Sequence, residues 1–216
     1  CAEHKVDTIE GHALADAVPM PSASFLALTG HLDELVARHG RLADLTIGSH
    51  PATDVSPSPP VALEAAIMET GRPVMVIPAA DTGWKPGQTL GGNIAVAWYG
   101  SPEAARAVSF AMPLLSRAKQ VEVIYYGEER GEESAADALV SYLRFHGVEA
   151  TVQGIAGDET AGRKRTGEAL LDQARALSAD ILVMGAYTHS RLRQIIFGGT
   201  TRYVLEKADI PVLLAH

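Results

Sequence analysis

The strongest constraint on this fold lies in the last third of the chain, where apolar runs rich in β-branched residues alternate with loop and helix signals. Ala179-Asp180-Ile181-Leu182-Val183-Met184-Gly185 is an apolar run ending in glycine. A polar loop leads to Gly198-Gly199-Thr200-Thr201, and Ile210-Pro211-Val212-Leu213-Leu214 is a second apolar run. The order is strand, glycine-bearing loop, helix, strand. Near-continuous apolar strands separated by helices belong to parallel sheets covered on both faces and joined by right-handed crossovers. Glycines in such a loop let backbone N–H groups approach an anion, and the free N–H groups of a helix beginning near Thr200 add partial positive charge. A phosphate suits this arrangement.

At these residues the chain resembles the universal stress protein family. Members that bind ATP carry glycine, two residues, glycine, nine residues, then glycine followed by serine or threonine. Gly185, then Ala186-Tyr187, Thr188, the residues from His189 to Phe197, and Gly198 reproduce that spacing, and Met184 and Thr201 match as well. Thr188 stands where the second glycine is usual, and Gly199 where a hydroxyl residue is usual, with Thr200 directly after it. The resemblance covers Asn93 to His216 and continues more faintly upstream. It implies a Rossmann-like α/β fold with a five-stranded parallel sheet of order 3-2-1-4-5. The ligand would lie at the switch point between strands one and four, where Gly185 and Tyr99 meet. ATP-binding relatives usually end strand one with an acidic or amide residue, and this chain has Tyr99.

The second half reads as one complete α/β unit. Asn93 to Trp98 is strand one, and Pro102 to Arg117 is a helix behind Ser101, an N-cap followed by proline at the first helical position. Val121 to Tyr126 is strand two, and Glu133 to His146 an amphipathic helix stopped by Gly147. Val148 to Gly154 is strand three, Gly167 to Leu177 a helix, and Ala179 to Gly185 strand four. Thr200 to Lys207 and Ile210 to Ala215 complete it.

Self-similarity extends this pattern into the first half. Ala43-Asp44-Leu45-Thr46-Ile47-Gly48 mirrors the run ending at Gly185, and Gly71-Arg72-Pro73-Val74-Met75-Val76-Ile77 mirrors Asp209 to Leu214. Lys5 to Gly11 pairs with Val148 to Gly154. Residues 1–80 thus read as a partial repeat holding counterparts of strands three to five, 81–92 as a glycine-rich linker, and 93–216 as the complete domain. Because a sheet missing its middle leaves backbone groups unpaired, the reading expects either upstream sequence or a partner to supply the two central strands, and favours the former. The two halves are expected to pack as an intramolecular pseudo-dimer through their fifth strands, with Val74, Val76, Val212 and Leu214 at the shared edge. A further homodimer between chains is expected from the resemblance.

Composition narrows the function. A chain of 216 residues with 47% hydrophobic content supports an ordinary core, and a formal net charge of -8 argues against a nucleic-acid partner. Cys1 is the single cysteine, so no intrachain disulfide is possible, and a cytoplasmic location is the default. No apolar run approaches the ~20 residues that span a bilayer, so no membrane partner is expected.

The resemblance implies an adenine nucleotide as ligand, ATP or another adenylate, with Mg²⁺. The nucleotide-binding residues it suggests are Ala97, Trp98, Tyr99, Tyr125, Met184, Gly185, Thr188, His189, Arg191, Gly198, Gly199, Thr200 and Thr201. Phosphates would lie over Gly198 to Thr201, with the base near Ala97, Tyr99 and Tyr125. The same glycines also serve as ordinary strand-end and helix-start residues, and Tyr99 either stacks on adenine or plugs the site. Arg191, Arg193 and His189 are phosphate partners or solvated surface. Asp158-Glu159 reaches Mg²⁺ or is a plain acidic loop. His4 and His216 read as solvent-facing. The first repeat has Pro51, Pro57, Pro59 and Pro60 around Ser58 in place of a glycine loop, and proline lacks the N–H that would cradle phosphate. No catalytic constellation stands out: the glycine loop has no lysine, and the histidines lack metal-ligand spacing. Two classes remain, a nucleotide-binding stress module with at most slow hydrolysis, and an interaction or dimerisation protein of the same fold.

Overall fold

The computed structural model describes residues 7–10, 22–49, 61–78, 88–126, 134–155, 162–187 and 199–216. In chain order they form β1 (Asp7–Glu10), β2 (Ser22–Phe25), α1 (Leu32–Gly40), β3 (Thr46–Ser49), α2 (Val61–Glu69), β4 (Val74–Ile77), β5 (Asn93–Trp98), α3 (Pro102–Leu115), β6 (Gln120–Tyr126), α4 (Ala135–Phe145), β7 (Thr151–Ile155), α5 (Gly162–Ala176), β8 (Ile181–Gly185), α6 (Gly199–Lys207) and β9 (Val212–Ala215).

Local chemistry accounts for the helix starts. Ser101 caps α3 by accepting the Ala104 N–H at 3.1 Å, and Pro102 occupies the first helical position, where no N–H is needed. Ser134 caps α4 by accepting the Asp137 N–H at 3.0 Å, while its hydroxyl donates to the Asp137 carboxylate at 2.8 Å.

Alternation along the strands divides the core into two layers. Ala95 and Ala97 of β5, Leu182 and Met184 of β8 and Val212 and Leu214 of β9 face α2, α5 and α6. Ile94 and Val96, Ile181 and Val183, and Leu213 face α3 and α4. Each large apolar side chain so buried contributes about 1.5–3 kcal/mol.

The main sheet has seven strands in the order β3-β4-β9-β8-β5-β6-β7; the five of the second half lie side by side as β7-β6-β5-β8-β9, all parallel, and β4 and β3 of the first half extend it. The extra strands enter because β9 would otherwise end the sheet with an open edge. β4 closes that edge by pairing antiparallel, Val74 opposite Leu214 and Val76 opposite Val212, whereas the other pairings in the sheet are parallel. The expected N-terminal strand is present as β1, but it pairs in parallel with β2 in a separate two-stranded sheet. β2 reads Ser-Ala-Ser-Phe, which carries no β-branched run to announce it. Strand three of the second half starts at Thr151, three residues later than the sequence pattern suggests.

Candidate functional site

β5 lies between β6 and β8, and the chain leaves β5 and β8 toward opposite faces of the sheet. The helix after β5, α3, covers one layer of the core, and the helix after β8, α6, covers the other. Adjacent parallel strands whose following helices diverge leave a crevice beyond their carboxyl ends, the switch point of an open α/β sheet.

Gly185 ends β8 in that crevice. A Cβ built there would stand 2.6 Å from the Ala104 nitrogen and 2.8 Å from the Glu103 carbonyl carbon, so the missing side chain is what lets the first turn of α3 sit over β8. The first turn of α6 is drawn to the same strand end, because the Thr201 hydroxyl accepts the Tyr187 N–H at 3.3 Å. The N-termini of α3 and α6 therefore both flank the end of β8, and the positive ends of the two helix dipoles there favour an anion.

Tyr187 holds the bend between β8 and the loop. Its φ of 59° is a strained value for a bulky residue, the kind of outlier that concentrates at functional sites. Its ring is buried, and burial, aided by the charge of Glu64, pushes its phenol well above the usual tyrosine range, so it stays neutral. The preceding Ala186 is tied on both sides. Its N–H donates to the Ala215 carbonyl at 2.8 Å, and its carbonyl lies 3.0 Å from the His216 Nδ1. His216 is thus partly buried against Ala186 instead of solvent-facing, a position it owes to the β8–β9 register that sets Gly185 beside Ala215. Glu103, in the first turn of α3, accepts from Arg106 at 3.2 Å through Oε1, while Oε2 is buried with no hydrogen-bond partner among the described residues.

The residues singled out from the sequence fall in several places. Gly185 and Met184 end β8, and Gly199, Thr200 and Thr201 open α6, with Thr201 buried. Tyr99 follows β5 and is 48% exposed. Ala97 and Met184 face the α5–α6 layer, whereas Trp98 and Tyr125, opposite each other across β5 and β6, face the α3–α4 layer. The two-residue period of the strand thus separates Ala97 from Tyr125, which the sequence reading had grouped around one base. The Trp98 indole donates to the Ala135 carbonyl at 2.8 Å, which anchors it to α4. Thr188, His189, Arg191 and Gly198 lie outside the described residues, as do Arg193, Asp158, Glu159, His4 and the proline-rich stretch 50–60. Sequence reasoning missed Tyr187, Glu103 and His216. Only the spacing of β8 from β9 hinted at the last.

Among the described residues, no cluster of three His, Cys, Asp or Glu is placed to hold a metal ion, and no helix is long and apolar enough to cross a membrane.

Fold and strand order together define an α/β protein of the doubly wound class. Residues 92–216, more than half of the chain, match the universal stress protein family, and the chain belongs to it. The stress response protein NhaX of Bacillus subtilis (strain 168) is 31% identical over 102 residues, 47% of this chain and 56% of that protein. Universal stress protein Slr1230 of Synechocystis sp. is 46% identical over 46 residues, 21% of this chain and 16% of its own length. The matches thus span about half of the first relative and a small part of the second. Among solved structures, a universal stress protein from Archaeoglobus fulgidus DSM 4304 aligns with a TM-score of 0.63 at 18% identity, covering 92% of this chain and 70% of that one. The functionally unknown protein PA1789 from Pseudomonas aeruginosa PAO1 aligns with a TM-score of 0.56 at 17% identity, covering 90% and 69%. Both alignments reach well into the first half.

Proposed function

We propose that this chain is a stress-response protein whose second half binds an adenine nucleotide, ATP or another adenylate with Mg²⁺, in the crevice beyond β5 and β8. The observation that carries the reading is the convergence of two helix N-termini on the end of β8, made possible by Gly185. A phosphate chain there would meet the positive N-terminal end of α6, with Thr200 in its first turn. Tyr125 and Trp98 on one side and Tyr99 at the rim offer aromatic surface for a base. Thr201 contributes through the backbone it positions, since its hydroxyl already serves Tyr187. Mg²⁺ would be held mainly by the phosphates. The antiparallel β4–β9 seam supports reading the two halves as a pseudo-dimer of related units, and a homodimer between chains remains part of the proposal.

A second reading has its own support. Tyr187 buries its ring in the core layer of α2, α5 and α6 directly after Gly185 and Ala186, a packed strand end that fits a protein acting by dimerisation or partner binding. Isothermal calorimetry with ATP and Mg²⁺ decides between them. The nucleotide reading expects saturable heat from the wild type. It also expects Gly198→Val to weaken binding by at least about tenfold, roughly 1.4 kcal/mol, while Ser58→Ala leaves it unchanged. A wild type with no heat at millimolar nucleotide would replace this reading with the interaction protein.

A further inference from the structure

Tyr187 ties the end of β8 to a helix of the first half. Its backbone belongs to the crevice: it follows Gly185 and Ala186, and its N–H donates to the hydroxyl of Thr201, in the first turn of α6, at 3.3 Å. Its ring belongs to the core. It is 4% exposed, in the layer that holds Leu63, Ala66 and Ile67 of α2 as well as Val204 and Leu205 of α6. Glu64 of the same α2 stands close enough for its charge to act on the phenol.

The two attachments share one torsion. φ turns about the N–Cα bond, so a ring fixed in the core restricts where the N–H can point, and the value that satisfies both is 59°. That left-handed conformation is strained for a bulky residue. The strain cannot pass upstream, because the Ala186 N–H is held by the Ala215 carbonyl at 2.8 Å and the Ala186 carbonyl lies 3.0 Å from the His216 Nδ1. An anion at the positive ends of α3 and α6 draws N–H groups toward itself. At this bend the Tyr187 N–H and the Thr201 hydroxyl are bonded to each other. Turning the N–H outward at a negative, unstrained φ swings the ring out of the α2 layer.

Resting on the reading of the crevice as a phosphate site, we propose that Tyr187 is a latch that couples ligand binding in the second half to the packing of α2 in the first. With the ring in the α2 layer, the N–H stays on Thr201. A nucleotide phosphate that takes the N–H frees the ring and loosens α2. Relief of the strained φ offsets part of the cost of unpacking the ring. Linkage makes the effect reciprocal, so whatever loosens α2 strengthens nucleotide binding.

Amide hydrogen exchange on the whole protein, with and without ATP and Mg²⁺, tests this, with α4 in the opposite core layer as internal reference. Nucleotide should speed exchange in Val61–Glu69 of the wild type relative to Ala135–Phe145, the reverse of the protection a ligand ordinarily confers. Tyr187→Gly removes the ring, and glycine adopts the same φ freely. Its α2 should exchange faster without nucleotide and respond no further to it. It should also bind nucleotide at least about fivefold more tightly, the low end of ordinary coupling between sites. Thr201→Val, which removes the acceptor but keeps the shape, should likewise speed α2 without nucleotide, whereas Thr201→Ser should leave it at the wild-type rate. α2 exchange indifferent to Tyr187→Gly and Thr201→Val overturns the proposal whether or not nucleotide binds. So does nucleotide that binds the wild type and slows α2, or that binds Tyr187→Gly no better. Absence of binding by wild type and Tyr187→Gly alike removes the nucleotide reading itself, and with it the ligand half of the latch.

Discussion

A carboxylate buried in a sheet is costly unless its oxygens are met by donors, and Glu122 of β6 is met three times. Gln120 Nε2 donates at 2.7 Å, Gln153 Nε2 at 3.2 Å, and the Thr151 hydroxyl donates to the second oxygen. Burial alone would raise its pKa, yet the hydrogen bonds from Thr151, Gln120 and Gln153 outweigh that and leave it below the usual glutamate value. A carboxylate whose pKa is depressed by folding contributes stability above its unfolded pKa, and that contribution is lost as pH falls through the folded one. Glu122→Ala is therefore expected to cost about 1–3 kcal/mol in urea unfolding at pH 7. The gap from wild type should narrow once the pH drops below about 4, near and under the unfolded value. An equal gap at pH 7 and pH 3 would mean that the charge is not what stabilises. Nothing in the sequence marked this residue, because Gln-Val-Glu-Val reads as an ordinary alternating edge. Only the pairing of β6 with β7 brings Thr151 and Gln153 beside it.

Among elements, the packing of α5 on α6 has the most direct bearing on the crevice, since α6 opens at its rim. Gly167 lies inside α5, where alanine would ordinarily gain about 1 kcal/mol of helix propensity. A Cβ there would stand 3.0 Å from the Tyr203 Cβ and Cδ1 and 3.2 Å from the Thr200 carbonyl oxygen. Those atoms belong to the backbone or the root of a side chain and have little room to yield. Gly167→Ala is expected to lower the melting temperature despite its propensity gain, by the 1–3 kcal/mol typical of overpacking. A rise in melting temperature would show that α6 can move away. The sequence pattern suggests a helix from Gly167, whereas α5 begins at Gly162. Close approach to α6 is what the glycine serves. Serine and proline at positions 101 and 102, by contrast, marked the start of α3 correctly, because a cap acts within a single turn.

At the scale of the whole molecule, the β4–β9 seam joins the halves into one sheet, and a single core layer holds Ile67 of α2 together with Leu170, Leu182 and Leu205. Such a shared core should unfold as one unit. In a Trp84→Phe background, which leaves Trp98 as the single indole, Ile67→Ala is expected to cost about 2–5 kcal/mol. It should lower the urea midpoint reported by Trp98 together with that of far-UV circular dichroism. A Trp98 midpoint that stays put would mean that the halves unfold separately.

Periodicity and capping are local, so the sequence alone determined the alternating strands and helices of residues 93–216, the glycine at the end of β8 and the helix opening near Thr200. It also determined which strand residues at the β4–β9 seam are apolar enough to be buried. Tertiary structure decided what depends on register and approach between distant segments. It set the seven-strand order and the separation of Ala97 from Tyr125 onto opposite faces. It committed the Thr201 hydroxyl to Tyr187 and gathered three N–H groups of the lead-in to β5 on the Asp180 carboxylate. A side chain's face follows from which strand lies beside it, and pairing between segments more than a hundred residues apart in the chain is a property of the folded sheet.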